Sequence, residues 1–261
     1  MTTPLIRLDL RADGVAVLTL DRPDRLNALS SALALELADL VGRVAHDGSI
    51  GAIVVAGAGR AFCAGADIDE LATLSGPSAF AEFVHGLTDA LDVLAQCRKP
   101  SVAAIHGVAL GGGLELALAC DLRVAEEASR LGVPEIRLGL LPGAGGTARL
   151  PRLLPPGVAR QLLLTGEPLL GVDAYRLGLV NELASPGKTL EVATALAARL
   201  AALPPLALAA VKRLSEEGPT LSLAAAVALE RDTVSALFGT EDRAEGVRAF
   251  LERRVPRFRG R

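Results

Sequence analysis

The segment IHGVALGGGLEL, at residues 105–116, indicates how the rest of the chain is arranged. An apolar run leads into three successive glycines, and Glu115 is the only formally charged side chain between Val102 and Cys120. A carboxyl among apolar residues must be hydrogen-bonded or keep its proton. We interpret the segment as a strand-to-helix turn whose N–H groups are suited to stabilising an oxyanion, with a carboxyl one turn into the helix. A tight turn whose glutamate reaches solvent or a partner fits the same residues.

The composition indicates one large globular domain, or one domain with a small addition. Of the 261 residues, 51% are hydrophobic, 22% are charged and only 3% are aromatic. The core is therefore built mainly from Leu, Val, Ala and Ile, and the chain is long enough to bury a sizeable one. The net charge of −3 argues against nucleic acid as a bulk electrostatic partner.

Cysteine usage and hydropathy argue against a disulfide-rich protein, a zinc site and a membrane protein. Cys63, Cys97 and Cys120 are far apart and odd in number, so neither a disulfide framework nor a zinc site is expected. The first residues, MTTP, lack the features of a signal peptide. The apolar run 102–120 is long enough to span a bilayer, but its three glycines and Glu115 favour a buried core element. We expect a cytoplasmic protein that does not enter a membrane.

Hydrophobic patterns predict an α/β core followed by a helical extension. The predicted strands are residues 5–10, 15–20, 50–56, 101–106 and 121–125. The predicted helices of this part cover residues 33–44, a segment from about 78 to 96, and 114–119. From Thr189 to Phe250 the chain is rich in Ala, Leu, Glu and Arg, so it is predicted to be helical with breaks at residues 204–205 and 218–219.

Three familiar motifs are incomplete in this chain. Residues 143–148 fit the dinucleotide fingerprint G-x-G-x-x-A, but Pro142 lies where a strand should end and no βαβ unit opens there. Residues 187–189 resemble the end of a P-loop, but Glu182 replaces the required glycine. No G-x-S-x-G occurs, and the three histidines lack metal-ligand spacing. These patterns favour neither a nucleotide cofactor, nor a hydrolase, nor a metal.

A second carboxyl lies in apolar surroundings twenty residues after the first. Glu135 follows Pro134 in the segment LGVPEI, residues 131–136. Two such carboxyls can divide acid and base roles, one holding a proton while the other accepts one. An ordinary loop glutamate fits the Glu135 position as well, and the residues alone leave both interpretations open.

Five motifs, in order and spacing, resemble the enoyl-CoA hydratase/isomerase (crotonase) superfamily, and most closely its 2-enoyl-CoA hydratases. They are residues 21–23 with 27–29, 61–68, 99–100 with 106–116, 134–136 and 139–147. The resemblance implies an α/β fold, a crotonase-like spiral of ββα units with a C-terminal helical trimerisation region. Residues 1–190 would form the spiral core with the CoA and catalytic site. Residues 191–261 would mediate oligomerisation, as a homotrimer or dimer of trimers, and cover the site.

The resemblance also implies a set of site residues. The N–H groups of Ala66 and Gly112 would form the oxyanion hole, and Glu115 and Glu135 would be the catalytic carboxyls. CoA, as part of an acyl-CoA thioester substrate, would lie along Arg25, Leu26, Ala64, Ala66, Asp67, Ile68 and Gly112. No further cofactor and no metal are expected. The expected reaction is hydration of a 2-enoyl-CoA. The alternatives are an isomerase that uses Glu135 alone and a non-catalytic acyl-CoA-binding or scaffold member.

Two positions depart from the family pattern. Hydratases that this chain resembles often carry lysines, facing the CoA phosphates, at the positions of Asp24 and Asp69. Other cations must replace them if CoA binds here. The candidates are Arg22, Arg25, Lys212 and the C-terminal arginines 248, 253, 254, 257 and 259.

Overall fold

The computed structural model describes residues 4–261, and nine strands lie within that part of the chain. They are β1 (Ile6–Leu10), β2 (Val15–Leu20), β3 (Ala52–Gly57), β4 (Ser101–Ile105), β5 (Val108–Leu110), β6 (Leu122–Glu126), β7 (Arg130–Gly132), β8 (Leu169–Leu170) and β9 (Glu182–Ala184). The α-helices are α1 (Ser31–His46), α2 (Ile68–Thr73), α3 (Gly76–Ala95), α4 (Gly112–Ala119), α5 (Gly146–Leu153), α6 (Pro156–Thr165), α7 (Gly171–Arg176), α8 (Thr189–Ala201), α9 (Pro205–Glu217), α10 (Leu223–Phe238) and α11 (Glu241–Glu252).

The larger sheet has the strand order β1-β2-β3-β4-β6-β9 and is parallel except for the predicted β1–β2 hairpin. Its central strands are buried on both faces, which explains their continuous apolar runs. Ile53 and Val55 pack into the main core with residues of α1, α3 and α4. Ala52 and Val54, on the other face, pack against α8. Successive side chains of one strand therefore serve two separate cores.

A smaller sheet of order β5-β7-β8 builds the second layer, and the sequence patterns did not predict it. Its strands have two or three residues, too few to display an apolar period. Isolated parallel bridges, Leu29 with Ala66 and Cys63 with Ala109, extend the same stacking toward the N-terminal half. Each turn of the chain thus adds one pairing to each sheet, as in the expected spiral of ββα units.

Most predicted boundaries agree with the structure to within two or three residues. Helix α4, for example, begins at Gly112, two residues before the predicted Leu114. Two local predictions were wrong: residues Pro134–Leu138 form a 3-10 helix rather than a loop, and the C-terminal helices break once more at Gly239 and Thr240. The glycines at 111–113 thus start the helix, whereas propensity alone places them before it.

The boundary expected between residues 190 and 191 falls within α8, whose Ala193, Leu196 and Ala197 cover one face of the larger sheet. Helix α8 therefore packs on the core, whereas the two helices that follow it, α9 and α10, contain no buried residue. Within residues 4–261, no single helix is long and apolar enough to cross a bilayer; α8 and the segment Pro205–Thr220 pass the length and composition test together, but with a bend of 109° between them.

Candidate active site

Helix α4 brings its N-terminus and Glu115 into the interior of the spiral. All eight of its residues are buried. A Cβ atom on Gly113 would lie 2.2 Å from the carbonyl oxygen of Cys63. A side chain is therefore excluded there, and the glycine lets the helix start pack directly on the backbone that leads to Ala66. The close approach explains why small residues cluster in both segments.

Two backbone N–H groups meet at this contact without acceptors. Among the described residues, neither the Ala66 N–H nor the Gly112 N–H donates a hydrogen bond. The peptide groups beside Ala66 are fixed, because Leu29 N–H donates to Gly65 O at 2.7 Å and Asp67 N–H donates to Leu29 O at 2.8 Å. A Cβ atom on Gly112 would lie 3.6 Å from Ala66 N, so the two peptides are neighbours. Paired free donors of this kind can bind an oxyanion.

Glu115 is held by the loop that precedes α5. Its Oε1 accepts hydrogen bonds from Ala144 N–H and Gly146 N–H, each at 2.8 Å. The side chain is only 3% exposed. Burial raises the pKa of Glu115 above its usual value, and the two N–H donors and the charge of Arg149 act against that rise. The two donors and Arg149 thus offset part of the cost of ionising this buried carboxyl.

Glu135 is also buried, but it has fewer hydrogen-bond partners. Its Oε2 is buried and has no hydrogen-bond partner in the part of the chain that the structure describes. Burial, with a contribution from the negative charge of Glu115, raises the pKa of Glu135 to about 7. A Cβ atom on Gly111 would lie 2.6 Å from Glu135 Oε1, so the carboxyl packs against the start of α4. The two glutamates are therefore electrostatic neighbours with raised pKa values, and Glu115 has loop N–H donors to support its charge whereas Glu135 Oε2 has none.

Both carboxyls and both free donors line one cavity of about 350 Å³. Its remaining wall is almost entirely apolar and comes from α2, α3 and the segment after Glu135. The apolar side chains are Ile68, Leu71, Phe80, Phe83, Val84, Leu87, Leu138, Leu140 and Leu141. The arrangement can bind an apolar chain with a polarised carbonyl at one end and two carboxyls beside it.

The predicted CoA-binding residues lie next to the cavity. Ala64, Ala66 and Gly112 line it, as does Ile68, whose side chain is 58% exposed. The side chain of Asp67 has a structural role, because it caps the N-terminus of α2 and pairs with Arg22.

The candidate cations differ in their availability. Arg22 Nη2 lies 2.7 Å from Asp67 Oδ2, and Lys212 Nζ lies 2.8 Å from Asp121 Oδ2; both cations are mostly buried in these ion pairs. Arg25, beside the left-handed Leu26, pairs with Asp69 on the surface, where both side chains are more than half exposed. Arg25 is therefore the more accessible candidate of the three.

The backbone donors to Glu115 were not predicted from the sequence. Ala144 and Gly146 lie in residues 143–148, a segment that the sequence marks as an incomplete dinucleotide fingerprint and as part of a family motif, but not as a donor to a carboxyl. A glycine-rich turn before a helix supplies free N–H groups regardless of the motif that it resembles. That signal was present, but no side chain marks which carboxyl the donors serve.

The chain matches the family model described as enoyl-CoA hydratase/isomerase over residues 11–261. It is 41% identical to the 2,3-dehydroadipyl-CoA hydratase of Escherichia coli, over 96% of this chain and 97% of that one. It is 38% identical to the crotonyl-CoA hydratase of Syntrophomonas wolfei, over 95% of each chain. A crystal structure of an enoyl-CoA hydratase from Bacillus anthracis superposes with a TM-score of 0.95 at 34% identity, covering 99% of this chain and 100% of that one. The predicted crotonase-type fold is thereby confirmed, and the chain belongs to the enoyl-CoA hydratase/isomerase family.

Proposed function

We propose that this protein adds water across the C2=C3 double bond of a 2-enoyl-CoA to give a 3-hydroxyacyl-CoA. The observation that carries the proposal is the pair of carboxyls in one cavity. Glu115 is hydrogen-bonded by two N–H groups, and Glu135 has a buried oxygen without a partner. Two carboxyls whose charged forms are unequally supported can divide the base and acid roles. Relatives named as hydratases at about 40% identity support the same reaction.

The proposed role of Ala66 and Gly112 is to polarise the thioester. Their N–H groups would donate to the thioester oxygen, which gains negative charge as C3 is attacked. A preorganised donor of this type typically contributes about 2.7–4 kcal/mol to lowering the barrier. Because both donors are backbone groups with free N–H bonds, they need no rearrangement before substrate binds.

The two carboxyls then move the protons. Glu115 accepts a proton from water as the water oxygen bonds to C3, and protonated Glu135 delivers its proton to C2. Both loop donors bind Oε1 of Glu115, which leaves Oε2 for the water. A proton returning from Glu115 to Glu135 resets the pair, and the roles exchange in the reverse reaction. General acid–base catalysis of this kind contributes typically 10²–10⁴-fold.

We propose that CoA extends from the cavity past Ala64 and Ile68 toward Arg25 and Leu26. The Arg25–Asp69 pair supports this path because it is exposed. Surface pairs are worth about 0–1 kcal/mol, so Arg25 can exchange Asp69 for a CoA phosphate at little cost. The CoA is part of the substrate, and no other cofactor is proposed.

The cavity wall favours an uncharged acyl group. No cationic side chain lines the cavity among the described residues, and burying a carboxylate there without a partner would be strongly unfavourable. We therefore expect crotonyl-CoA to be hydrated with a higher kcat/KM than 2,3-dehydroadipyl-CoA. Equal or better use of the dicarboxylic substrate, measured with the same enzyme preparation, would contradict this expectation.

The test of the hydratase is the loss of enoyl-thioester absorbance with crotonyl-CoA. Purified protein is compared with Glu115→Gln and Glu135→Gln, and with Glu167→Gln as an exposed control. We expect rates at least 100-fold lower in both cavity variants and an unchanged rate in the control. Full turnover in either cavity variant would refute the two-carboxyl mechanism.

An isomerase would behave differently in the same series. It would move the double bond of a 3-enoyl-CoA to C2 through Glu135 alone, so Glu115→Gln would spare isomerisation. CoA binding without turnover of any enoyl-CoA would instead indicate a binding or scaffold protein.

A further inference from the structure

Arg149, on α5, contacts the loop that holds Glu115. Its Nη1 donates to the carbonyl oxygen of Ala144 at 3.2 Å, and its Nη2 donates to Asp92 Oδ1 on α3 at 2.9 Å. The N–H of the same Ala144 donates to Glu115. The guanidinium therefore fixes the residue that supplies one of the two donors to this carboxyl, and it ties that residue to the helix that forms the apolar wall.

The turn before α5 is shaped around the guanidinium. Gly145 has φ +110°, a conformation that favours glycine. A Cβ atom at this position would lie 2.7 Å from Arg149 Nη1, so a side chain would displace the guanidinium. Arg149 N–H also donates to Gly145 O at 2.7 Å, within the first turn of the helix. Backbone and side chain of Arg149 thus both hold this turn.

The charge of Arg149 also acts on Glu115. The charged groups that face Glu115 are Glu135, from the 3-10 helix, and Arg149, from α5; Asp92, from α3, neutralises part of the Arg149 charge. Glu135 is a neighbour of like charge whenever it ionises, whereas Arg149 attracts the Glu115 carboxylate. A cation in this place favours the form of Glu115 that can accept a proton.

We propose that Arg149 is a positioning residue for the hydration reaction: it keeps the Ala144 N–H directed at Glu115 and maintains Glu115 as the base. This inference rests on the proposed function. It assigns the arginine a role through Glu115 and not through contact with the substrate, since Arg149 does not line the cavity.

The experiment measures kcat and KM with crotonyl-CoA across pH for Arg149→Gln, Arg149→Lys and Asp92→Asn. Arg152→Gln is the matched control, because Arg152 lies on the same helix, is exposed and donates only to Ala148 O. We expect Arg149→Gln to lower kcat at least tenfold with KM changed less than twofold. The acidic limb of the kcat–pH profile of Arg149→Gln should move to higher pH, because Glu115 loses a stabilising cation.

The other variants separate charge from geometry. Arg149→Lys keeps the charge but not the guanidinium fork, so the acidic limb should stay in place while kcat recovers only in part. Asp92→Asn leaves the guanidinium unneutralised and should move the limb to lower pH. If Arg149→Gln unfolds, these two variants carry the test. The proposal would be overturned if Arg149→Gln kept the wild-type kcat and the wild-type acidic limb of the pH profile. It would also be overturned if Arg149→Lys and Asp92→Asn had identical acidic limbs.

A titration without turnover separates this inference from the proposed function. The Glu115 carboxyl is followed by ¹³C NMR in protein labelled at glutamate and assigned with Glu115→Gln. The Arg149→Gln variant should shift the Glu115 titration to higher pH even if the wild type fails to hydrate any enoyl-CoA. An unshifted titration would refute the role of Arg149, whereas absent hydration alone would refute only the proposed function.

Discussion

At the scale of single residues, Glu115 and Glu135 have the same side chain but different hydrogen-bond partners. Both are in apolar segments, and the sequence predicted both as candidates for that reason. Their division of roles was not predictable from the residues, because it depends on donors that come from residues 144–146. A glutamate without such donors has no compensation for burial, and that is the situation of Glu135 Oε2.

The first prediction concerns the pH dependence of hydration. Glu135 must be protonated to act as the acid, and its pKa is raised to about 7, first by burial and then by Glu115. We expect kcat/KM to fall as the pH rises through about 7, and to fall again at acidic pH as Glu115 takes up a proton. The measurement is kcat/KM for crotonyl-CoA from pH 4.5 to 9. A flat profile between pH 6 and 9 would contradict the acid role of Glu135.

The second prediction concerns stability. The pKa of Glu135 is higher in the folded chain than in the unfolded chain, so the unfolded chain loses this proton first as pH rises. This contribution to stability is fully present below about pH 4.5 and is lost by about pH 7. Glu135→Gln carries no such proton. Its Tm relative to wild type should therefore rise between pH 4.5 and 8, by about 2–4 °C for each kcal/mol.

Thermal unfolding followed by circular dichroism at the two pH values measures this difference. Glu167→Gln is the control, since its side chain is exposed. A Tm difference between Glu135→Gln and wild type that stays constant with pH would contradict the prediction.

At the scale of elements, the predictable parts are those with long apolar patterns. The strands β2, β3 and β4 are continuous apolar runs of five or six residues, α1 has an apolar stripe at helical spacing, and all four were predicted. The strands of the smaller sheet have only two or three residues, too few to display a pattern, and their pairing depends on contacts between turns of the spiral. The start of α4 was misplaced for a related reason, since packing against Cys63 overrides the low helix propensity of glycine.

The third prediction follows from that packing. Gly113→Ala would place a Cβ atom against the carbonyl oxygen of Cys63, a backbone atom that cannot move alone. We expect a loss of about 1–3 kcal/mol of stability, as for other overpacked sites, and a reduced kcat because Gly112 is displaced. Gly86→Ala is the control: a Cβ atom there meets nothing within 4 Å, and alanine in a helix is favoured by about 0.8–1.0 kcal/mol.

Urea unfolding of the two variants gives the comparison. Gly113→Ala should unfold at lower urea concentration than wild type, and Gly86→Ala at equal or higher concentration. The same midpoint in both variants would show that α4 tolerates a shift at its start.

At the scale of the whole molecule, the C-terminal helices leave apolar side chains uncovered. Along α10, Leu223, Val227, Val234 and Phe238 are 82%, 43%, 59% and 66% exposed and share one face. A monomer rarely exposes such a stripe. The resemblance stated from the sequence associates this region with trimers, and the stripe supports that assignment as a proposal.

The fourth prediction is therefore the oligomeric state. We expect light scattering to give a mass of three or six chains for the wild type. Val234→Asp with Phe238→Asp should reduce it, because two charges would be buried in the proposed contact between copies. As a control, Leu35→Asp changes an equally exposed apolar residue on α1, 72% exposed, and should leave the mass unchanged. A monomeric wild type at micromolar concentration would refute the assignment.

The free N–H groups of Ala66 and Gly112 have a consequence for how this protein can change over evolutionary time. A peptide N–H is present whatever side chain the codon specifies, proline excepted, so most mutations at these two positions leave the donor in place. The two carboxyls are lost more easily, because one base change can replace either glutamate. Under the proposed mechanism, a lineage with this scaffold can therefore lose or replace its acid and base while it still binds thioesters, and a new reaction can arise on an inherited binding site.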